Sequence, residues 1–199
     1  DLRVLLNSVK RQTLKPAQLI VVDGSNPDIR FVVDEFPELN IDYVRVFPPS
    51  LSEQRNVGIR HLRDDITLAG YLDDDIELES SAIEEMLAFW EHSPGDLGGA
   101  AFNITNTPKP NAAKVMIRQW LGLDCVQPGK VLPSGFTSTL NWQRLDIKPD
   151  WLCGGATVWR REIVNRYSFD EWFQGTGYLE DLDFSFNVRG KYYLALVEH

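Results

Sequence analysis

Asp73-Asp74-Asp75 ends the apolar run Ile66–Leu72 in a chain of 199 residues. Three consecutive carboxylates repel one another, and a fold keeps them together only with compensation. A divalent cation supplies it. Hard cations take carboxylate oxygens, and magnesium or manganese sites commonly combine one or two carboxylates with substrate phosphates. On an extended strand end, Asp73 and Asp75 point the same way and Asp74 points to the other face. Three other readings stay open. The run is a solvated acidic turn, the usual fate of a charge run. It is an EF-hand-like loop, with Asp73, Asp75, Glu77, Glu79 and Glu84 at suitable offsets; Leu78 then stands where the sharp-turn glycine belongs, and a strand precedes it rather than a helix. Or it is an aspartyl phosphatase motif, which normally ends the first strand and continues with Thr or Val; here Ile76 and Glu77 follow, in mid-chain.

A second acidic group, Glu180-Asp181-x-Asp183, follows Gly175-Thr176-Gly177. Helical spacing puts Glu180 and Asp183 on roughly one side, next to Asp181. Carboxylates in a first helical turn are stabilised by the helix dipole, so simple capping explains them. A general base that removes a proton from an attacking hydroxyl explains them equally well. Third, Gln54-Arg55-Asn56 opens a predicted helix just after a strand and Pro48-Pro49; an Arg there meets a nucleobase or phosphate, or lies on the surface.

The elements that must position these groups alternate. Leu2, Leu5, Leu6 and Val9 share a helical face that stops before Pro16. Gln18–Val22 is strand-like and runs into Asp23-Gly24-Ser25. Asp28–Phe36 is a predicted helix, Ile41–Phe47 a strand, and a helix starts at Ser52 as its cap. Ile66–Leu72 is a strand, Ser80 or Ser81 caps a helix to about Trp90, and Leu97–Phe102 is a strand. Such alternation predicts an α/β fold with a mainly parallel central sheet and helices on both faces. Ligands in such sheets bind beyond the carboxyl ends of the strands, where Asp23 and Asp73–Asp75 both fall. From 103 to 150 prolines break the rhythm, with Ala112–Leu121 the one clear helix. Regularity returns with a strand-like Trp151–Trp159 containing Gly154-Gly155, helical segments at Arg160–Arg166 and Leu179–Val188, and a last strand at Tyr192–Val197.

Composition narrows the class. Hydrophobic residues at 43% and charged residues at 25% match a soluble globular domain. A net charge of −9 excludes a broad basic footprint for nucleic acid. A phosphorylated ligand would then need a metal or locally placed Arg and Lys. Cys125 and Cys153 show no zinc spacing and read as free thiols of a reducing compartment. No run is long and apolar enough to span a membrane. The chain begins on Asp1, directly in a helical pattern, and a segment is expected to precede it.

The motifs occur in an order that resembles the family 2 glycosyltransferases of GT-A, Rossmann-like fold. The matching stretches are Leu6–Thr13 with Leu19–Ser25, Gln54–Gly58, Tyr71–Asp75, Trp151–Gly155 and Phe173–Arg189. The resemblance implies one domain over 1–199, with a nucleotide-binding half at 1–102 and an acceptor-binding and catalytic half at 103–199. It implies that Asp23 contacts the base or ribose, that Arg55 lies near the base and that Asn56 supports its loop. Asp73 and Asp75 would form the DxD motif that binds ribose and a Mn2+ or Mg2+ ion, with Asp74 counted among the nucleotide-sugar contacts. Gly154 and Gly155 would line the donor sugar and acceptor. Asp181 would be the catalytic base, and Glu180 would help position acceptor or sugar. A metal-binding His is expected near the end of this region; His199 is the candidate, a terminal or tag-derived His the other reading.

The implied activity is metal-dependent, inverting transfer of a sugar from a UDP-, GDP- or dTDP-type donor. The acceptor would be a hydroxyl of a glycan, lipid-linked or other molecule, in bacterial-type surface polysaccharide or glycoconjugate synthesis. The implied location is cytoplasmic, peripheral association with the inner membrane face included. Two departures stand out: Val22 replaces the first of the family's paired aspartates before Gly24-Ser25, and the family's first strand is absent. The alternative from another class is a non-catalytic domain that binds a glycan or nucleotide. A sugar nucleotidyltransferase shares the fold class but wants a Gly-rich phosphate loop.

Overall fold

The computed structural model describes residues 2–106, 111–138, 140 and 148–197. Leu2, Leu5, Leu6 and Val9 form the buried stripe of α1 (Leu2–Lys10), at the spacing that one helical face requires. Then come β1 (Ile20–Asp23), α2 (Arg30–Val33), a 3-10 turn at Pro37–Leu39 and β2 (Asp42–Arg45). The alternation continues with α3 (Leu51–Arg60), β3 (Leu68–Leu72), α4 (Ala82–Glu91) and β4 (Leu97–Ala101). α5 (Ala112–Trp120) lies in the proline-punctuated stretch, capped by the Asn111 side chain, which accepts from the backbone N–H groups of Ala113 and Lys114. β5 (Ala156–Arg160), α6 (Arg161–Arg166), α7 (Glu180–Val188) and β6 (Tyr193–Leu196) complete it.

β1 and β2 pair in parallel, with Asp23 opposite Arg45. The other four strands form a sheet of order β3-β5-β4-β6. β4 and β6 are parallel, but β5 runs antiparallel to both its neighbours. The fold is the expected mixed α/β class, with a smaller parallel share than the alternation suggested. The reason is the connection. Among the described residues between β4 and β5 the helix is α5, none of whose residues is buried, so no packed crossover helix obliges β5 to run parallel. It is also shorter than the expected Trp151–Trp159, since pairing begins only at Ala156. An antiparallel strand starts where its neighbours end. Gly154-Gly155 therefore lies at the carboxyl end of β3, and the N–H of Asp73 donates to the Gly155 carbonyl at 2.8 Å.

The four-stranded sheet separates two apolar cores. Ala100 and Val158 pack with the buried residues of α1, α2 and α4, including Leu6, Val33, Met86 and Trp90. The next residues along the same strands, Ala101 and Trp159, pack with Ile163 and Val164 of α6 and Phe184 and Val188 of α7. This is the period-two alternation of a sheet covered on both faces. Gly99 makes room for it: a Cβ there would meet the Trp159 ring at 2.4 Å. Cys125 and Cys153 are free thiols, as expected. Among the described residues no helix is long and apolar enough to cross a membrane.

Candidate active site

Arg55, in the second turn of α3, is the centre around which the acidic motifs meet. Its side chain is 6% exposed. One terminal nitrogen, Nη1, donates to Glu180 Oε1 at 2.6 Å and the other, Nη2, to Asp73 Oδ1 at 3.2 Å. Its guanidinium lies 5.0 Å from the centre of the Phe169 ring and 5.9 Å from that of Tyr71. Arg55 and Glu180 are 125 residues apart in the chain. Arg55 was expected near a nucleobase; in the fold both its terminal nitrogens are engaged by carboxylates.

Gly154 and Gly155 fit against this group because they lack side chains. A Cβ on Gly154 would lie 2.8 Å from Arg55 Nη1 and 2.8 Å from Asp181 Cβ; one on Gly155 would lie 2.7 Å from Asp73 Oδ2. The N–H of Gly154 donates to Asp181 Oδ2 at 2.9 Å, and that of Leu182 donates to Oδ1 at 2.7 Å. Each carboxylate oxygen can accept a further proton or hydrogen bond. Asp181 is half-buried, whereas Glu180 is buried. Burial pushes the Glu180 carboxyl up from its ordinary value and the Asp181 charge adds to that, while Arg55 opposes both. Burial also raises the neighbouring Cys153 thiol.

α7 begins abruptly because Gly175 and Gly177 take positive φ, at 64° and 63°, and Leu179 follows at 74°. For leucine that left-handed conformation is strained, and it sits immediately before Glu180. The loop is tied to α3, where the Leu51 N–H donates to the Gly175 carbonyl and Ser52 Oγ to that of Phe173. Ser52 is thus not the helix cap but its second residue; Ser50 is the N-cap. Asn56 clasps Phe169 from both sides. Its amide donates to the Phe169 carbonyl and accepts from the Phe169 N–H, both at 2.9 Å.

The acidic run is a turn, closed by the Ile76 N–H donating to the Asp73 carbonyl at 3.2 Å. The chain leaves the extended form after Leu72, so the shared face expected for Asp73 and Asp75 does not follow from strand geometry. Asp74 and Asp75 are exposed, and the Asp73 side chain is 44% exposed. Two carboxylates in one turn are the donor type that a hard cation takes. Asp73 Oδ2 lies where a Gly155 side chain would otherwise stand, and Asp75 is an exposed carboxylate nearby in the turn. Among the described residues no three His, Cys, Asp or Glu side chains converge as a cage. One or two carboxylates completed by phosphate oxygens is the usual magnesium arrangement. His199 lies outside the described residues.

Asp23 ends β1 and is 3% exposed. It accepts from the N–H groups of Ser25 and Ile29 at 2.7 and 3.1 Å, from Tyr43 Oη at 2.5 Å and from Arg45 Nη1 at 2.6 Å. Burial would raise its carboxyl, but the hydrogen bonds outweigh that and hold it well below the usual range. This carboxylate ties the Ser25–Ile29 loop to the end of β1 and to β2. Tyr43 and Arg45 as its partners were missed in the sequence; their alternation on β2 hinted at a shared face, but only the parallel register puts it beside Asp23. A separate cleft of about 620 Å³, lined by Lys10, Lys15, Leu19, Asp42 and Arg63, opens near the start of β1, away from the Arg55 cluster.

Sequence comparison with curated proteins finds no match. Among solved structures, TarS of S. aureus superposes with a TM-score of 0.67 at 13% identity, over 98% of this chain and 32% of that one. TarS 1-349 in complex with UDP gives 0.64 at 15%, over 99% and 54%. GalNAc-T7 with UDP, GalNAc and Mn2+ gives 0.65 at 18%, over 98% and 39%. The chain thus spans from about a third to about half the length of these proteins, and the likeness is one of fold. The description glycosyl transferase family 2 matches residues 1–167, which hold Asp23, Arg55, Asp73–Asp75 and Gly154-Gly155 but stop short of Glu180-Asp181. On that match, the chain belongs to glycosyl transferase family 2.

Proposed function

We propose that this chain carries out metal-dependent, inverting transfer of a sugar from a nucleoside-diphosphate sugar to an acceptor hydroxyl. The observation that carries this is the Arg55 bridge, which brings the acidic turn and the Glu180-Asp181 pair to one place at the carboxyl end of β3. Asp73, Asp74, Asp75, Glu180 and Asp181 stand here with Arg55, whose charge is already matched. An anionic diphosphate is repelled by such a cluster unless a cation intervenes. Asp73 and Asp75 would hold that cation, Mn2+ or Mg2+. When bound, it would neutralise charge growing on the departing diphosphate.

The protein's own groups then divide the work. Asp181 takes the proton of the acceptor hydroxyl while the acceptor oxygen bonds to the anomeric carbon. The bond from that carbon to the diphosphate oxygen breaks on the opposite face, and its electron pair leaves with the diphosphate. Gly154 and Gly155 leave room for the sugar beside both carboxylates, and the Asp23-held loop supports the nucleoside. The nucleotide half is 1–102 and the acceptor half 103–199, with surface polysaccharides or glycoconjugates as the acceptor class. UDP is the first nucleotide to test, because TarS 1-349 and GalNAc-T7 were each solved with it.

The test is a thermal-shift and transfer series. Asp181→Asn abolishes transfer and keeps Mn2+-dependent UDP binding; near-normal turnover would remove Asp181 from the role of base. Asp75→Ala loses the Mn2+-dependent part of binding, and unchanged binding would sink the metal assignment. No shift of the wild type with UDP, GDP, dTDP or CDP, with or without Mn2+, leaves the non-catalytic binding domain in its place.

A further inference from the structure

We propose that Arg55 is a positioning residue that locks the donor-binding turn to the catalytic helix, setting Asp73 and Glu180 in one geometry with a single guanidinium. The inference rests on the transferase reading for the meaning of the two carboxylates, but its structural half stands without it. A planar guanidinium presents several donors in a rigid fork and can serve two carboxylates at once; an ammonium is a point charge. Here the two terminal nitrogens are divided, one to each motif.

The surroundings leave the fork little freedom. Gly154 closes one side, since even a Cβ there would come within 2.8 and 3.0 Å of the two nitrogens. Phe169 closes another, and Phe169 is itself clasped by Asn56, the next residue of the same helix. The two partners need Arg55 for different reasons. Glu180, 7% exposed at its side chain, is a buried carboxylate next to Asp181 and needs a countercharge. Asp73 is 44% exposed and needs no countercharge to be soluble. Arg55 fixes which way it points, leaving Oδ2 over Gly155.

This difference makes the two halves separable by a double-mutant cycle of Arg55→Met and Glu180→Gln, with Arg55→Lys beside it. Thermal unfolding is followed without ligand, and UDP binding with Mn2+ by calorimetry. Arg55→Met lowers Tm by about 6 °C or more, the size expected when one partner of a buried pair is removed. Adding Glu180→Gln recovers at least about half of that loss, because no unpaired buried carboxylate remains. UDP affinity falls about 10–100-fold on Arg55→Met in both the native and the Glu180→Gln background, the usual effect of losing a group that orients a metal ligand. Arg55→Lys restores Tm in part but not affinity. If affinity returns together with Tm in the double variant, Arg55 is only a structural ion-pair partner and the lock is refuted. Additive Tm losses refute the Arg55–Glu180 half. Should Arg55→Met not fold, the equally uncharged Arg55→Gln with and without Glu180→Gln carries the same comparison. A wild type that binds UDP, GDP, dTDP and CDP with Mn2+ not at all refutes the transferase reading and the Asp73 half, while the ligand-free Tm cycle still decides the Glu180 half.

Discussion

Gly154→Ala is a sharp test of the site because the added methyl meets two neighbours that other contacts hold in place. Its Cβ would lie 2.8 Å from Arg55 Nη1, 3.0 Å from Nη2 and 2.8 Å from Asp181 Cβ, where ordinary contact begins at 3.4 Å. Relief therefore needs a displacement of about 0.6 Å on either side of the methyl. Arg55 resists, held at 2.6 Å by Glu180, and Asp181 resists as part of α7. Overpacking of this kind costs about 1–3 kcal/mol. The stiffer unfolded chain offsets about 0.4–1 kcal/mol, since Gly154 is not among the glycines at positive φ. The net loss of about 1–2 kcal/mol lowers Tm by about 2–8 °C for a chain of this length. The chemistry suffers more. A misplacement of about 1 Å costs about 100-fold in rate, so a shift of just over half that size predicts a fall in kcat of about 10-fold or more. Gly95→Ala is the control, because a Cβ there meets nothing within 4 Å. Thermal unfolding, and release of nucleoside diphosphate from the donor sugar, read the two effects. A Gly154→Ala protein that matches Gly95→Ala in both would show that Arg55 and Asp181 do not flank residue 154 as described.

Asp23→Asn lowers stability by about 2 kcal/mol at neutral pH, the scale of a buried charge-assisted hydrogen bond. The folded Asp23 carboxyl lies below its unfolded value of about 3.9, so its contribution is complete above that pH and is lost as pH falls through the folded value. The gap in urea midpoint between wild type and variant therefore narrows from pH 7 to pH 3; an unchanged gap would show that ionised Asp23 is not what anchors the loop. Gly99→Ala drives a Cβ into the Trp159 ring and costs about 3 kcal/mol or more, visible as a lower denaturant midpoint with an unchanged slope. If Gly99→Ala unfolds like the wild type, β4 and Trp159 do not pack in the register given above.

Much of the fold was legible because its signals are local. The α1 stripe, the apolar run into Asp73 and the alternation through β4 depend on periodicity and on nearby proline and glycine, which act within a few residues. The pairing partner of a strand leaves no such mark. Nothing between Trp151 and Trp159 announces that pairing starts at Ala156 or that β5 runs against its neighbours. The acidic run was legible as chemistry but not as shape, since a strand end and a turn share the same residues.

By itself the sequence determined the α/β class, the family pattern and which side chains were candidates: Asp23, Arg55, Asp73–Asp75, Gly154-Gly155 and Glu180-Asp181. Only the tertiary structure decided where they sit and what they touch. The reversed β5 sets Gly154-Gly155 beside Asp73, and burial leaves Asp23 holding a loop. Arg55 is an internal bridge because an ion pair across 125 residues depends on where two helices dock. That docking is set by the summed packing of both cores, and no local spacing in the chain encodes it.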